Sequence, residues 1–183
     1  SWNINYDIPS FAGVLDAFKT LRGVLMAYML GDIVLADKNA ILDDIVKNVQ
    51  VGLDASTLDI IKAEKVRHNL TLDMEKFFHY HDFLICPSAS VSPFFIETPY
   101  VSEIDGQKCE TYIDWFAITF AITMTSCPTL CIPCGFTESG LPVGIQIIAA
   151  PRNEQNLLNF GCALQEIFGV SKELPITPKH TSN

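Results

Sequence analysis

The chain has 183 residues and a mass of 20.3 kDa, enough for one domain that buries roughly 70% of its unfolded surface without help from disulfides or metals. Hydrophobic residues make up 49% and charged residues 18%, with a mean hydropathy of +0.25, which excludes a disordered chain. With 12 Lys and Arg against 21 Asp and Glu, the net charge is −9, so neither nucleic acid nor an anionic membrane surface is an expected partner.

An apolar stripe at three- and four-residue steps (Phe11, Leu15, Phe18, Leu21, Leu25, Met29) predicts a helix over residues 10–30, capped by Ser10 and stopped by Gly31-Asp32. Ile41, Ile45 and Val49 predict a second helix over 39–49, with Gly52 beyond its end. Ser56-Thr57-Leu58-Asp59 has the form of a capping box with Asp in place of Glu, and opens a third helix ending near Tyr80. The period then changes. Asp82 to Pro87 is a short apolar run stopped by proline, as in a buried strand. Residues 88–112 carry Ser, Pro, Gly and aromatics without periodicity and read as one long loop, a length associated with function or mobility. A helix over 113–126 follows, then strands at 129–132 and 143–149 joined through a Gly- and Pro-bearing turn. The last helix covers 153–168 and stops at Gly169, and residues 171–183 read as an irregular tail. Helices first and strands mixed among helices afterward indicate an α/β fold.

The uncharged stretch from Trp115 to Thr137 is long enough to cross a bilayer. Its five threonines, with Pro128 and Pro133, mark it instead as helix, turn and strand in a soluble core. The six cysteines (Cys86, Cys109, Cys127, Cys131, Cys134 and Cys162) are too sparse and uneven for a disulfide scaffold, and read as free, mostly buried thiols. No basic or apolar leader follows Ser1, so the expected compartment is the cytoplasm.

Cys127-x3-Cys131-x2-Cys134 matches an iron–sulfur spacing, but prolines bracket a strand whose alternate side chains diverge. No metal and no cofactor is expected. His79 and His81 in His79-Tyr80-His81-Asp82 do not face one another on a helix, and histidine at a helix C-terminus is favoured by the macrodipole. Cys109 has no basic neighbour in sequence to activate it. Ser88, Ser90 and Ser92 follow a strand but lack the glycines of an oxyanion hole. The chain contains no GxSxG, P-loop, GxGxxG or HExxH motif, so no residue is assigned a catalytic role.

From Asp82 to about Glu166 the sequence resembles the C-terminal part of the amidase signature family. The resemblance rests on Asp82-Phe-Leu-Ile-Cys-Pro87, Tyr112-Ile-Asp-Trp115, Cys127-Pro-Thr-Leu-Cys-Ile-Pro-Cys-Gly-Phe136 and Gly140-Leu-Pro-Val-Gly-Ile-Gln146, with Leu157, Leu158 and Glu166. A weaker upstream match covers Leu21-Arg22, Gly52 and Ala63-Glu64. It implies that residues 1–183 are the C-terminal part of one domain with a twisted mixed β-sheet between helices. It also implies hydrolysis of carboxamides by a serine nucleophile, a second serine and a lysine base, all in the upstream half. The partners implied are a small-molecule amide and that upstream half, and a homodimer is compatible with the sequence. The alternative is a non-catalytic family member, or a component of an amidotransferase, serving as a binding or structural module.

The resemblance places the segment before the Pro-x-x-x-Pro strand near the bound amide. Trp115, Thr119 and Thr123, spaced i, i+4, i+8, are the candidate substrate-binding residues, an aromatic to stack an acyl group and two hydroxyls to bond its polar end. The competing reading is a core helix whose threonine hydroxyls bond back to its own carbonyls. Family members acting on glutamine beside transfer RNA often carry an acidic residue near Phe116, so Trp115-Phe116 implies an aryl or aliphatic amide.

Overall fold

The computed structural model describes residues 3–169, and the expected tail over 171–183 lies outside them. Three helices come first: α1 (Val14–Ala36), α2 (Asp43–Asp54) and α3 (Thr57–Phe78). Strand β1 (Phe83–Pro87) follows, then a short hairpin of β2 (Glu103–Ile104) and β3 (Gln107–Lys108). Helix α4 (Ala117–Thr123), strands β4 (Thr129–Phe136) and β5 (Pro142–Ala149), and helix α5 (Glu154–Phe168) complete the α/β fold.

The main sheet has the order β1-β5-β4, both pairings antiparallel. In its centre Ile147, Ile148 and Ala149 are fully buried, because β5 is covered on both faces. Ile148 and Leu84 point into a core built with Val14 and Ala17 of α1, Ala63, Leu70 and Met74 of α3, and Ile122 of α4. Ile147, Ala149 and Ile132 pack instead with Leu157 and Leu164 of α5. Phe83 of β1 stacks on Phe160 of α5 at 4.4 Å on that same side. No helix among the described residues is long and apolar enough to cross a membrane.

Local chemistry explains where elements start and stop. The Ser56 hydroxyl accepts from the Asp59 N–H (3.2 Å), and Asp59 Oδ2 accepts from the Ser56 N–H (3.1 Å), closing the capping box that starts α3. Helix α1 begins later than Ser10, after a turn through Gly13 at φ 72°. It also runs past Gly31, which stays within the helix and is buried beside Leu53 of α2. Strand β4 continues through Pro133 to Phe136. Proline is tolerated there because β4 lies at the sheet edge, and a bulge between Pro133 and Gly135 absorbs the break in register. Within the long loop, Asp105 and Gly106 both take positive φ (49° and 76°), as a two-residue hairpin turn requires.

The α1–α2 crossing is set by two glycines. A Cβ at Gly52 would fall on the carbonyl of Gly23, and one at Gly23 would meet Gly52 N at 2.9 Å. Rigid backbone cannot yield as a side chain does. Gly52→Ala should therefore destabilise the protein by roughly 2 kcal/mol or more. At Gly31 the nearest atom to a Cβ is Leu53 Cδ2 at 4.0 Å, so Gly31→Ala should raise stability by about 0.5–1 kcal/mol through helix propensity. Thermal denaturation of both variants checks the opposite signs.

Candidate functional site

A cleft of about 400 Å³ opens where the end of β1 meets the start of β5. Its walls are the loop 87–94, Trp115, and residues 142–144. The β1–β5 ladder builds one side: Pro87 lies opposite Ile145, and the Ser88 N–H donates to the Gly144 carbonyl at 3.0 Å. Buried Gln146 ties the loop's first turn down, its Nε2 donating to the Pro87 carbonyl at 3.1 Å. Gly144 leaves room for Ser88, whose hydroxyl would lie 2.8 Å from any Cβ there.

Trp115 forms the opposite wall. It sits in a 3-10 turn (Asp114–Phe116) just before α4, edge-to-face with Phe94 at 5.4 Å and with Phe116 at 5.6 Å. Phe116 meets Phe120 at 5.9 Å, and Phe120 stacks on Phe18 of α1 at 3.9 Å. A continuous row of rings thus runs from α1 to the cleft. Among the described residues no carboxylate, ammonium, guanidinium or imidazole lines the cleft, and its polar groups include the hydroxyls of Ser88, Ser90 and Ser92. Such a lining fits a neutral, partly aromatic ligand with a hydrogen-bonding group, because an unpaired charge would be costly there.

The three residues singled out by spacing do not converge. Trp115 lines the cleft, whereas Thr119 and Thr123 lie on α4 outside its lining. The Thr119 hydroxyl donates to the Phe116 carbonyl (2.7 Å) and that of Thr123 to the Thr119 carbonyl (3.2 Å). Their hydrogens are thereby used, and each oxygen retains only acceptor capacity. The i, i+4, i+8 face is broken because Trp115 belongs to the tighter 3-10 turn and not to α4 itself. Phe94, Ser88 and Gly144 carry no spacing signal in the sequence. Their one signal was a serine-bearing loop after a strand, together with the Pro142-Val143-Gly144 segment.

The remaining reactive groups are quiet. The six cysteines are free; Cys131 and Cys162 are exposed and the other four half-buried, so the expectation of mostly buried thiols is not met. Burial raises the thiols of Cys86 and Cys127 above their ordinary range. Cys109 is raised as well, by burial first and then by the Asp114 carboxylate. His81 stacks on Phe77 at 4.3 Å and lies 3.5 Å from Asp7 Oδ2. Among the described residues no group of three His, Cys, Asp or Glu could hold a metal ion. A second concavity of about 520 Å³ lies between α3 and the end of α4, but its guanidinium, Arg67, is already paired with Glu64 at 2.7 Å.

The turn carrying Trp115 is held from α1. Lys19 Nζ lies 2.7 Å from Asp114 Oδ1, and Asp114 Oδ2 accepts from the N–H (2.8 Å) and hydroxyl (3.1 Å) of Thr111. Burial opposes ionisation of Asp114, but the hydrogen bonds from Lys19 and Thr111 outweigh it and hold the carboxyl below its ordinary pKa.

Known proteins share this arrangement of elements. The profile of the family Amidase matches residues 17–158. The A subunit of the glutamyl-tRNA(Gln) amidotransferase from Zymomonas mobilis is 32% identical over 139 residues, which is 72% of this chain and 26% of that protein. Its namesake from Thermodesulfovibrio yellowstonii is 32% identical over 118 residues, covering 63% of this chain and 22% of the relative. The chain therefore spans about a quarter of the length of these relatives. Among solved structures, an amidase superposes with a TM-score of 0.76 at 21% identity, covering 86% of this chain and 36% of that one. A bacterial aryl acylamidase of the amidase signature family superposes with a TM-score of 0.74 at 18% identity, covering 91% of this chain and 37% of the other. At such identities the structures establish the fold.

Asp114 also makes stability depend on pH. Its folded pKa is depressed, so its contribution is present above the ordinary carboxylate pKa of about 3.9 and is lost as pH falls through the lower folded value. Asp114→Asn should lower the melting temperature at pH 7, and the gap should shrink below about pH 4. A gap independent of pH would show that the carboxylate charge does not stabilise the turn.

Proposed function

The chain belongs to the amidase family, and on that premise we propose that it is the C-terminal portion of an amide hydrolase acting on a neutral aryl or aliphatic carboxamide. The observation that carries this reading is the cleft at the β1–β5 junction, which is aromatic on one wall, hydroxyl-bearing on the other, and without charge. Trp115 is the acyl- or aryl-binding wall. Thr119 and Thr123 lie on α4 outside the cleft lining, and their hydroxyls bond to main-chain carbonyls of the same segment. The serine nucleophile, its partner serine and the lysine base belong to an upstream segment of the same protein, consistent with the quarter of each relative that this chain covers. That segment is the first partner of residues 1–183, and the amide substrate is the second. The exposed free thiols of Cys131 and Cys162 favour a reducing compartment such as the cytoplasm.

A second reading has its own support. The curated relatives at 32% identity bear the name of one component of an amidotransferase. Under that reading the chain would belong to a multi-subunit enzyme or serve as a non-catalytic module. The wall formed by Trp115 against Phe94 suits an apolar aryl or acyl group better than the charged end of an amino-acid amide. This favours the hydrolase of neutral amides.

In the whole natural protein, Trp115→Ala should raise KM for aryl amides about tenfold, the loss of one aromatic contact and its buried area, while changing kcat little. Steady-state kinetics on paired aryl and short alkyl amides reads this directly. Kinetics unchanged across both classes would remove Trp115 from the pocket, and a preference for glutamine over every neutral amide would support the amidotransferase reading.

A further inference from the structure

Helix α1 does not line the cleft, yet three of its side chains on neighbouring positions grip the segment that does. Phe18 stacks on Phe120 at 3.9 Å, Lys19 pairs with Asp114 at 2.7 Å, and Arg22 Nη2 donates to the Tyr112 hydroxyl at 3.1 Å. These contacts bracket Trp115 on both sides in sequence. The Lys19–Asp114 ion pair acts nearest the indole, because Asp114 immediately precedes Trp115 and its other oxygen closes the turn onto Thr111. The Asp114 side chain is only 10% exposed and that of Lys19 30%, so water screens the pair less than it would a surface bridge. Arg22 Nε is buried without a hydrogen-bond partner among the described residues, so the guanidinium is inserted at some cost and its Nη2 is directed to Tyr112.

From this geometry we infer that Lys19 is a positioning residue for substrate selection: through Asp114 it fixes the plane of Trp115 against Phe94, and so sets how well an aromatic acyl group is accepted. This inference rests on the reading of the cleft as the substrate pocket. Loss of Lys19 leaves the largely buried Asp114 carboxylate unpaired on that oxygen, so the 3-10 turn loses its anchor to α1 while Phe18 still holds α4. Trp115 would then tilt without leaving the cleft. A ring misplaced by even a small rotation loses edge-to-face contact, which affects aromatic substrates and spares those too short to reach it.

The test uses the whole natural protein and two substrates, an aryl amide and a short alkyl amide, with Lys19→Met, Lys19→Arg, Trp115→Ala and the double variant Lys19→Met/Trp115→Ala. Lys19→Met should raise KM for the aryl amide about five- to tenfold, leaving kcat and the alkyl-amide parameters within about twofold. Lys19→Arg, which keeps the charge, should restore most of the loss. In the double variant the effect should not add to that of Trp115→Ala, because both act on one contact. Additive effects, or an equal loss on both substrates, would overturn the positioning role while leaving the pocket intact. If Trp115→Ala itself changes neither substrate, the pocket reading falls and the inference with it. Should Lys19→Met fail to fold, Asp114→Asn breaks the same pair with a smaller change and must give the same split between substrates, or the inference is overturned.

Discussion

The main sheet and the cleft at its end both depend on strand β5. It takes hydrogen bonds from β1 on one side and β4 on the other, and it is the only strand of the main sheet with two neighbours among the described residues. Its side chains serve opposite layers in alternation, Ile148 toward α1 and α3 and Ile147 toward α5. A slip of one residue would turn both sets inside out, so the register is tightly constrained. That register also creates the cleft. It sets Pro87 opposite Ile145, brings Ser88 onto Gly144, and lets Gln146 hold the loop's first carbonyl.

Around this sheet the helices act as a frame for one aromatic wall. The close crossing at Gly23 and Gly52 fixes α2 on α1, and the Ala63, Leu70 and Met74 face of α3 joins α1 over the sheet. Helix α1 then reaches the 111–120 segment through a ring stack, an ion pair and a guanidinium–phenol hydrogen bond. The result is a continuous path of rings from Phe18 through Phe120 and Phe116 to Trp115 and Phe94. Fold and site are therefore not separable here. The same contacts that bury the core orient the wall of the cleft.

How much of this could be read from residues alone depended on the range of the interaction. The capping box at Ser56 and Asp59, the strand ending at Pro87 and the helix stop at Gly169 are local devices, and each stands where its residues indicated. Glycine was the ambiguous letter. Gly31 and Gly52 read as helix stops, but both lie inside helices, and Gly52 meets the backbone of Gly23 in a contact that exists only in three dimensions. Pro133 is ambiguous in a related way, because an edge strand can dispense with an N–H that a central strand needs. At the site, Trp115 is marked by the resemblance and by its place four residues ahead of Thr119. Its partners Phe94, Ser88 and Gly144 are not, because strand pairing and ring contacts bring them together from distant parts of the chain. The i, i+4, i+8 spacing of Trp115, Thr119 and Thr123 gives a shared face only in one regular helix, and here the chain makes a 3-10 turn first.

The most direct measurement is a crystal structure of the whole natural protein with an unreactive aryl amide analogue bound. The account predicts the aryl ring between Trp115 and the 142–144 segment, with its centroid about 4.5–7 Å from the indole and its carbonyl directed out of this chain toward the upstream residues. A ligand bound away from Trp115, with the cleft at the β1–β5 junction filled by another segment of the protein, would contradict it.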